Sequence, residues 1–154
     1  WGPAMTLTAN RGVGLAHTGN SDWADYSVRA KVTIRLADRA GLAARYGGLN
    51  RYVALLYNRQ GGELQIVRQH DDAQQSLAKV AYDWPLNQPR KLKLVVLGDL
   101  AVAMVDGQEM LRARLSSQDG RSLALPGGGI ALLADTGTVC FADVAVEPAR
   151  QPRP

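Results

Sequence analysis

Polar and apolar residues alternate most clearly between positions 26 and 36. Tyr26, Val28, Ala30, Val32, Ile34 and Leu36 share one parity, and Ser27, Arg29, Lys31, Thr33 and Arg35 share the other. Successive side chains of an extended chain point to opposite faces, so the pattern predicts a long strand with one face in a core and one in water. The run Tyr52-Val53-Ala54-Leu55-Leu56-Tyr57 hardly alternates. It predicts a central strand covered on both faces. Residues 138–148 are apolar, rich in β-branched side chains and end at Pro148, as a half-buried closing strand should. Within that strand Phe141 and Val144 differ in parity, so burying both in one core requires a bulge between them.

Similar short runs occupy the rest of the chain between turn signals. Residues 5–9 and 13–17 flank Asn10-Arg11-Gly12, and Gly19-Asn20-Ser21-Asp22 is a loop of turn-forming residues. Strands follow at 42–46, 52–58, 64–70 and 75–82, separated by Gly47-Gly48-Leu49-Asn50, Gln60-Gly61-Gly62 and Asp71-Asp72. After Pro85 and Pro89 come strands at 92–97, 100–105 and 109–115, joined at Gly98-Asp99 and at Asp106-Gly107, the strongest short turn signal present. Residues 116–129 read as a polar loop, and 130–134 pairs through Asp135-Thr136-Gly137 with the closing strand. No stretch of a dozen residues carries a 3.6-residue period. With no helices to cover them, ten or more strands must cover each other, so the expected fold is an all-β, two-sheet antiparallel sandwich. Tyr26, Val28, Val32, Ile34, Leu94, Val96, Leu132, Phe141 and Val144 should lie between the sheets.

Length supports one core. The 154 residues suit a single domain over 1–148, with 149–154 as a tail or the start of a linker. The chain opens on Trp1 and reads as a segment of a longer protein. A hydrophobic content of 46% excludes a disordered chain. No apolar run approaches the roughly 20 residues of a membrane helix, so no membrane partner is expected. The net charge of +4 is spread singly through the strands, without a basic patch interleaved with stacking aromatics, so nucleic acid is not an expected partner either. Lys91 with Lys93, and Arg112 with Arg114, should each share one solvated strand face. Few Lys and Ile against abundant Ala, Arg, Gly and Leu suggest a bacterial gene of high GC content, and leave open whether the protein is secreted or cytoplasmic.

Reactive groups are sparse. The single Cys140 sits in the closing strand as a small hydrophobe and permits no intrachain disulfide. His17 and His70 have no companion at ligand spacing, and Pro126-Gly127-Gly128-Gly129 precedes a strand, whereas a phosphate loop needs a helix amino terminus. No cofactor is expected. A structural calcium has two candidate positions: Asp22 with Asp25 before the long strand, or Asp135 with Asp143 around the last hairpin, although turn-forming and solvated roles compete for all four.

The order Trp23-Ala24-Asp25-Tyr26, Gly41 to Tyr46, Arg51-Tyr52, Gly62-Glu63-Leu64, Val105-Asp106-Gly107, Gly129 to Leu132 and Phe141 to Val144 resembles concanavalin A-like lectin and glucanase jelly-roll domains over nearly the whole chain. Within that superfamily it is most similar to accessory modules of glycan-active hydrolases, including the carboxy-terminal domain of some bacterial ADP-ribosylglycohydrolase-family proteins. The resemblance implies a jelly roll whose concave sheet often carries a sugar site, sometimes with a structural calcium on the opposite side. Glycosidases of the superfamily carry two or three carboxylates alternating on one concave strand. Here Glu63, Glu109 and Glu147 fall in three different strands, and Asp71-Asp72 would point to opposite faces even if extended. The expectation is therefore a non-catalytic module.

Sugars stack on Trp or Tyr while Arg, Asp, Asn and Gln fix their hydroxyls. The resemblance directs Arg45 into the concave face, with Trp23, Tyr52, Tyr57 and Trp84 as the aromatic candidates. Trp84, in a loop between Asp83 and Pro85, is the one least needed by a core. The reading is a carbohydrate-binding accessory domain of a larger hydrolase, with a glycan and the other domains of the parent chain as partners. Two alternatives stand beside it: a structural or interdomain-docking sandwich, whose concave face would be aliphatic through Ala43, Val53, Leu55 and Val67, and a glycoside hydrolase with a site not visible in sequence.

Overall fold

A computed structural model describes residues 4–18, 25–46, 51–70, 73–115 and 129–148, with side chains at 25–46, 52–69, 74–115 and 129–148. All ten elements are strands: β1 (Ala4–Thr18), β2 (Tyr26–Leu36), β3 (Arg39–Tyr46), β4 (Arg51–Asn58), β5 (Glu63–His70), β6 (Ala73–Ala81), β7 (Arg90–Leu97), β8 (Leu100–Val105), β9 (Gln108–Arg114) and β10 (Gly129–Pro148). Pairing is antiparallel throughout, in the order β6-β5-β4-β3-β10-β2-β7-β8-β9, with β1 on β10. The protein is an all-β jelly roll.

One hydrogen-bonded sheet makes two layers because β10 crosses between them. Its first half pairs with β3, from Gly129 against Tyr46 to Asp135 against Arg39, and its second half pairs with β2, from Thr138 against Leu36 to Pro148 against Tyr26. The crossing is at Thr136 (φ 50°) and Gly137 (φ 153°). A Cβ on Gly137 would stand 1.8 Å from the Leu36 carbonyl oxygen, so only glycine lets the two chains cross there. Sequence punctuation at 135–137 predicts a hairpin; the chain instead bends and runs on as one strand. Residues 10–12 likewise interrupt the pairing of a single β1 between Ala9 and Val13 instead of separating two strands.

Between the layers lies the main core. It joins Leu42, Leu55, Leu64 and Ile66 of one layer to Val28, Val32, Leu94, Val96 and Leu111 of the other, with Phe141 fully buried. The β4 run is buried at all six positions from Tyr52 to Tyr57, as its lack of alternation predicts. Val144 packs partly buried against the same core as Phe141, and the required bulge is present as a register shift between Ala142 and Ala145 around Asp143 (φ 54°). Leu36 departs from its parity and is 56% exposed, because β2 ends there at the corner between the layers. The predicted loops at 19–22, 47–50, 71–72 and 116–128 lie outside the described residues, as do Asp22, Trp23 and the side chains of His17 and His70.

Candidate functional site

The candidate residues go to three places. Arg45 ends the inward-facing series Ala40, Leu42, Ala44 of β3, and its left-handed backbone (φ 50°) turns it out of strand parity. Its side chain is 4% exposed. The guanidinium donates to the Gly98 carbonyl at 2.8 Å and to Asp25 Oδ1 at 3.3 Å, and the same carboxylate oxygen accepts the Gly98 N–H at 2.8 Å. The Arg45 N–H donates to the Tyr26 hydroxyl at 2.5 Å, which donates to the Gly129 carbonyl at 2.6 Å. Burial pushes the Tyr26 phenol up to about 12, against the opposing pull of Arg45. Burial also lowers Arg45 from its ordinary value, with Asp25 opposing. Arg45 was expected to face a sugar; it is instead a tie between β3 and the β7–β8 turn, because its hydrogen-bonding atoms face protein partners at the end of the sandwich.

Tyr52 faces the outer side of the β3–β4–β5 layer. Its ring stacks on Tyr46 at 6.2 Å and 30°, beside a second buried apolar cluster of Ala43, Ala54, Leu56, Val67, Ala131 and Leu133. Burial raises the phenols of Tyr46 and Tyr52 above their ordinary value. The described residues of this face are small and aliphatic beside the Tyr46–Tyr52 pair. Of the residues expected for such a face, Ala43 and Val67 belong to it, whereas Val53 and Leu55 belong to the main core.

Tyr57 and Trp84 meet at the other end of the layer. Ala40 pairs with Tyr57. Arg45 lies five residues further along β3, which is roughly 17 Å of strand. Tyr57, Tyr82 and Trp84 form an aromatic trio, with centroids 5.3 Å apart for Tyr57–Trp84, 6.3 Å for Tyr57–Tyr82 and 6.4 Å for Tyr82–Trp84. Trp84 was expected to stand clear of the core but is 4% exposed, because the loop after β6 folds its indole inward. Its Nε1–H donates to the Gln88 carbonyl at 2.7 Å, which lets an indole be buried without losing a hydrogen bond. Tyr57 OH donates to the Tyr82 carbonyl at 3.2 Å, and Arg90 Nε donates to the Tyr82 hydroxyl at 3.0 Å.

This trio is the floor of an open depression of about 660 Å3, rimmed by Arg59, Asp83, Pro85 and Leu86. Tyr82 is half-buried there, while Arg59 and Asp83 are exposed. Among its described lining residues the depression sets the half-buried Tyr82 ring beside one cation and one carboxylate, groups of the kinds that hold a sugar ring by its C–H face and its hydroxyls. Sequence reasoning missed Tyr82 and Arg59. Their signals were the end of β6 and the Arg59 to Gly62 turn, and nothing local shows that the two converge.

Of the calcium candidates, Asp22 lies outside the described residues. Asp25 is held by Arg45, and Asp135 by Arg39 through contacts of 2.6 and 2.7 Å. Asp143 lies in the other half of β10 from Asp135, paired with the other layer. Among the described residues no group of three His, Cys, Asp or Glu side chains converges for a metal ion.

No protein-family profile matches this chain, and no curated protein matches it by sequence. Solved structures do match in fold. A carbohydrate-binding module, CBM66 from Bacillus subtilis, superposes with a TM-score of 0.74 at 15% identity over 94% of this chain and 95% of that one. Caenorhabditis elegans galectin LEC-6 gives 0.63 at 12% identity, over 93% and 96% of the two chains. Aspergillus kawachii beta-fructofuranosidase gives 0.64 at 13% identity over 94% of this chain but 27% of its own. These likenesses speak for the concanavalin A-like jelly roll and give no support to the narrower resemblance to ADP-ribosylglycohydrolase accessory domains.

Proposed function

We propose that the chain is a non-catalytic carbohydrate-binding module whose sugar site is the depression around Tyr82 and Trp84. The observation that carries this reading is the half-buried Tyr82 ring, backed by Tyr57 and Trp84, with Arg59 and Asp83 beside it in one depression. The hydroxyl-binding role expected of Arg45 passes to Arg59, and the stacking role expected of Tyr57 and Trp84 passes to Tyr82, which those two buried rings support. Likeness in fold to proteins named as a carbohydrate-binding module and a galectin supports the same class. Asp83 is the single carboxylate among the described residues that line the depression, and glycoside hydrolysis uses a pair. In the beta-fructofuranosidase a fold of this kind makes up about a quarter of a larger enzyme, which favours an accessory role beside a hydrolase.

The buried apolar cluster of Ala54, Leu56 and Val67 favours a second reading, a sandwich that serves only as structure. A glycan array followed by calorimetry separates the two. An exposed site of this size gains little from area, so the expected Kd is about 10 µM to 1 mM, roughly 4 to 7 kcal/mol. Replacing Arg59 by Ala removes a charge-assisted contact and should weaken binding by roughly 1.5 to 3 kcal/mol with the melting temperature unchanged. Absence of any bound glycan, or binding indifferent to both Arg59→Ala and Asp83→Ala, would sink the sugar reading.

A further inference from the structure

The opposite layer carries a charge arrangement that the fold does not need. On the solvent side of β2 and β7, Arg29 stands directly across from Lys93, and Lys31 directly across from Lys91. Val28, Ala30 and Val32 of β2, and Leu92 and Leu94 of β7, fill the core on the other side, so strand parity sends all four cations outward together. Directly opposed residues in an antiparallel pair have Cβ atoms about 5 Å apart, and positions two apart on a strand are about 7 Å apart. The result is a two-by-two block of positive charge.

Like charges directly opposite one another destabilise a sheet. Here the repulsion is only partly relieved. Arg29 meets Glu147 at 3.1 Å, with both side chains about half exposed. Among the described residues, no carboxylate lies within ion-pair distance of Lys31, Lys91 or Lys93. The block is also recessed: Arg29, Lys31, Lys91 and Lys93 line a hollow of about 420 Å3 together with Met104 and, among the described residues, a single carboxylate, Asp143. Low-dielectric walls around clustered charge focus its field and attract counter-ions.

We propose that this hollow binds an anionic polysaccharide, its regularly spaced carboxylate or sulfate groups seated between the paired cations. A polymer suits the block better than a single small anion, because two rungs of charge lie in line along the strands. Single-stranded nucleic acid fits less well, because no aromatic side chain among the described residues lines the hollow for a base to stack on. The site lies on a different layer from the aromatic depression, and the inference stands without that depression being a sugar site.

The test is affinity chromatography and titration of the 154-residue chain against four probes: heparin for sulfate, polygalacturonate for carboxylate, dextran as a neutral polysaccharide, and a single-stranded DNA oligonucleotide. The expected result is retention by heparin or polygalacturonate and not by dextran, with affinity falling about tenfold or more between roughly 50 and 200 mM NaCl as counter-ions compete. Lys91→Gln with Lys93→Gln should lose at least about tenfold in that affinity, while Arg59→Ala, in the other depression, leaves it unchanged. Because the double variant removes repulsion, its Tm should equal or exceed that of the native chain. Failure of both polyanions to bind, or tighter binding of the DNA than of either, would overturn the proposal. So would a loss that follows Arg59→Ala in place of the lysine pair, or a Tm of the double variant several degrees below native.

Discussion

At the scale of single residues, the arginines divide by what their guanidinium groups face. Arg45 and Arg68 are both buried and reach from the β3–β6 layer to the other: Arg45 to the Gly98 carbonyl, Arg68 Nη1 to the Leu115 carbonyl at 2.6 Å. Truncating Arg45 to Ala leaves a cavity and removes bonds from a charged donor, so a loss of about 2 to 3 kcal/mol is expected from urea denaturation. Tyr26 gives a prediction in pH. Its phenol titrates near 12 when folded against 10.0 for the ordinary group, so between those values the unfolded chain has lost a proton that the folded chain keeps. Stability present below pH 10 should fall as pH rises, by up to about 1.4 kcal/mol per pH unit for this one group. Tyr46 and Tyr52, also raised, add the same sign. Denaturation between about pH 9 and pH 11 should show a shallower slope in Tyr26→Phe than in the native chain.

Elements bring their own constraints, and β10 has the most. It serves both layers, and its corner passes so close to the Leu36 carbonyl that Gly137→Ala should cost about 3 kcal/mol or more, or prevent folding, as read from Tm and soluble yield. The loop after β6 illustrates the opposite case, in which irregular chain makes a core contact. Trp84→Ala should destabilise by roughly 3 to 5 kcal/mol, because it empties the space beside Tyr57 and Tyr82. A loss of sugar binding in that variant would report unfolding, which is why the exposed Arg59 is the more informative position.

For the whole molecule, the division of labour between its faces sets what can be expected of it. Among the described residues the aromatic depression holds one carboxylate and so no acid and base pair, and an aryl-glycoside panel is expected to show no turnover by this chain above buffer. Period-two alternation in β2, its absence in β4 and the turn residues between runs made the strand content and a two-layer sandwich legible, because burial on one face or two is written directly into neighbouring side chains, whereas the jelly roll came from the family resemblance. Local pattern even required the bulge between Phe141 and Val144. Convergence is a different kind of information. Arg45 reads as a spare cation in an apolar strand until Asp25 and Gly98 are brought to it from distant positions, and Trp84 reads as a loop aromatic until the Gln88 carbonyl satisfies its indole. In the same way, Lys91 and Lys93 look like an ordinary wet face until the register sets Lys31 and Arg29 opposite them. The sequence by itself determined which residues alternate between core and water. Only the tertiary structure decided which polar groups meet, because hydrogen bonds and charge pairs depend on distances across strands that no local pattern encodes.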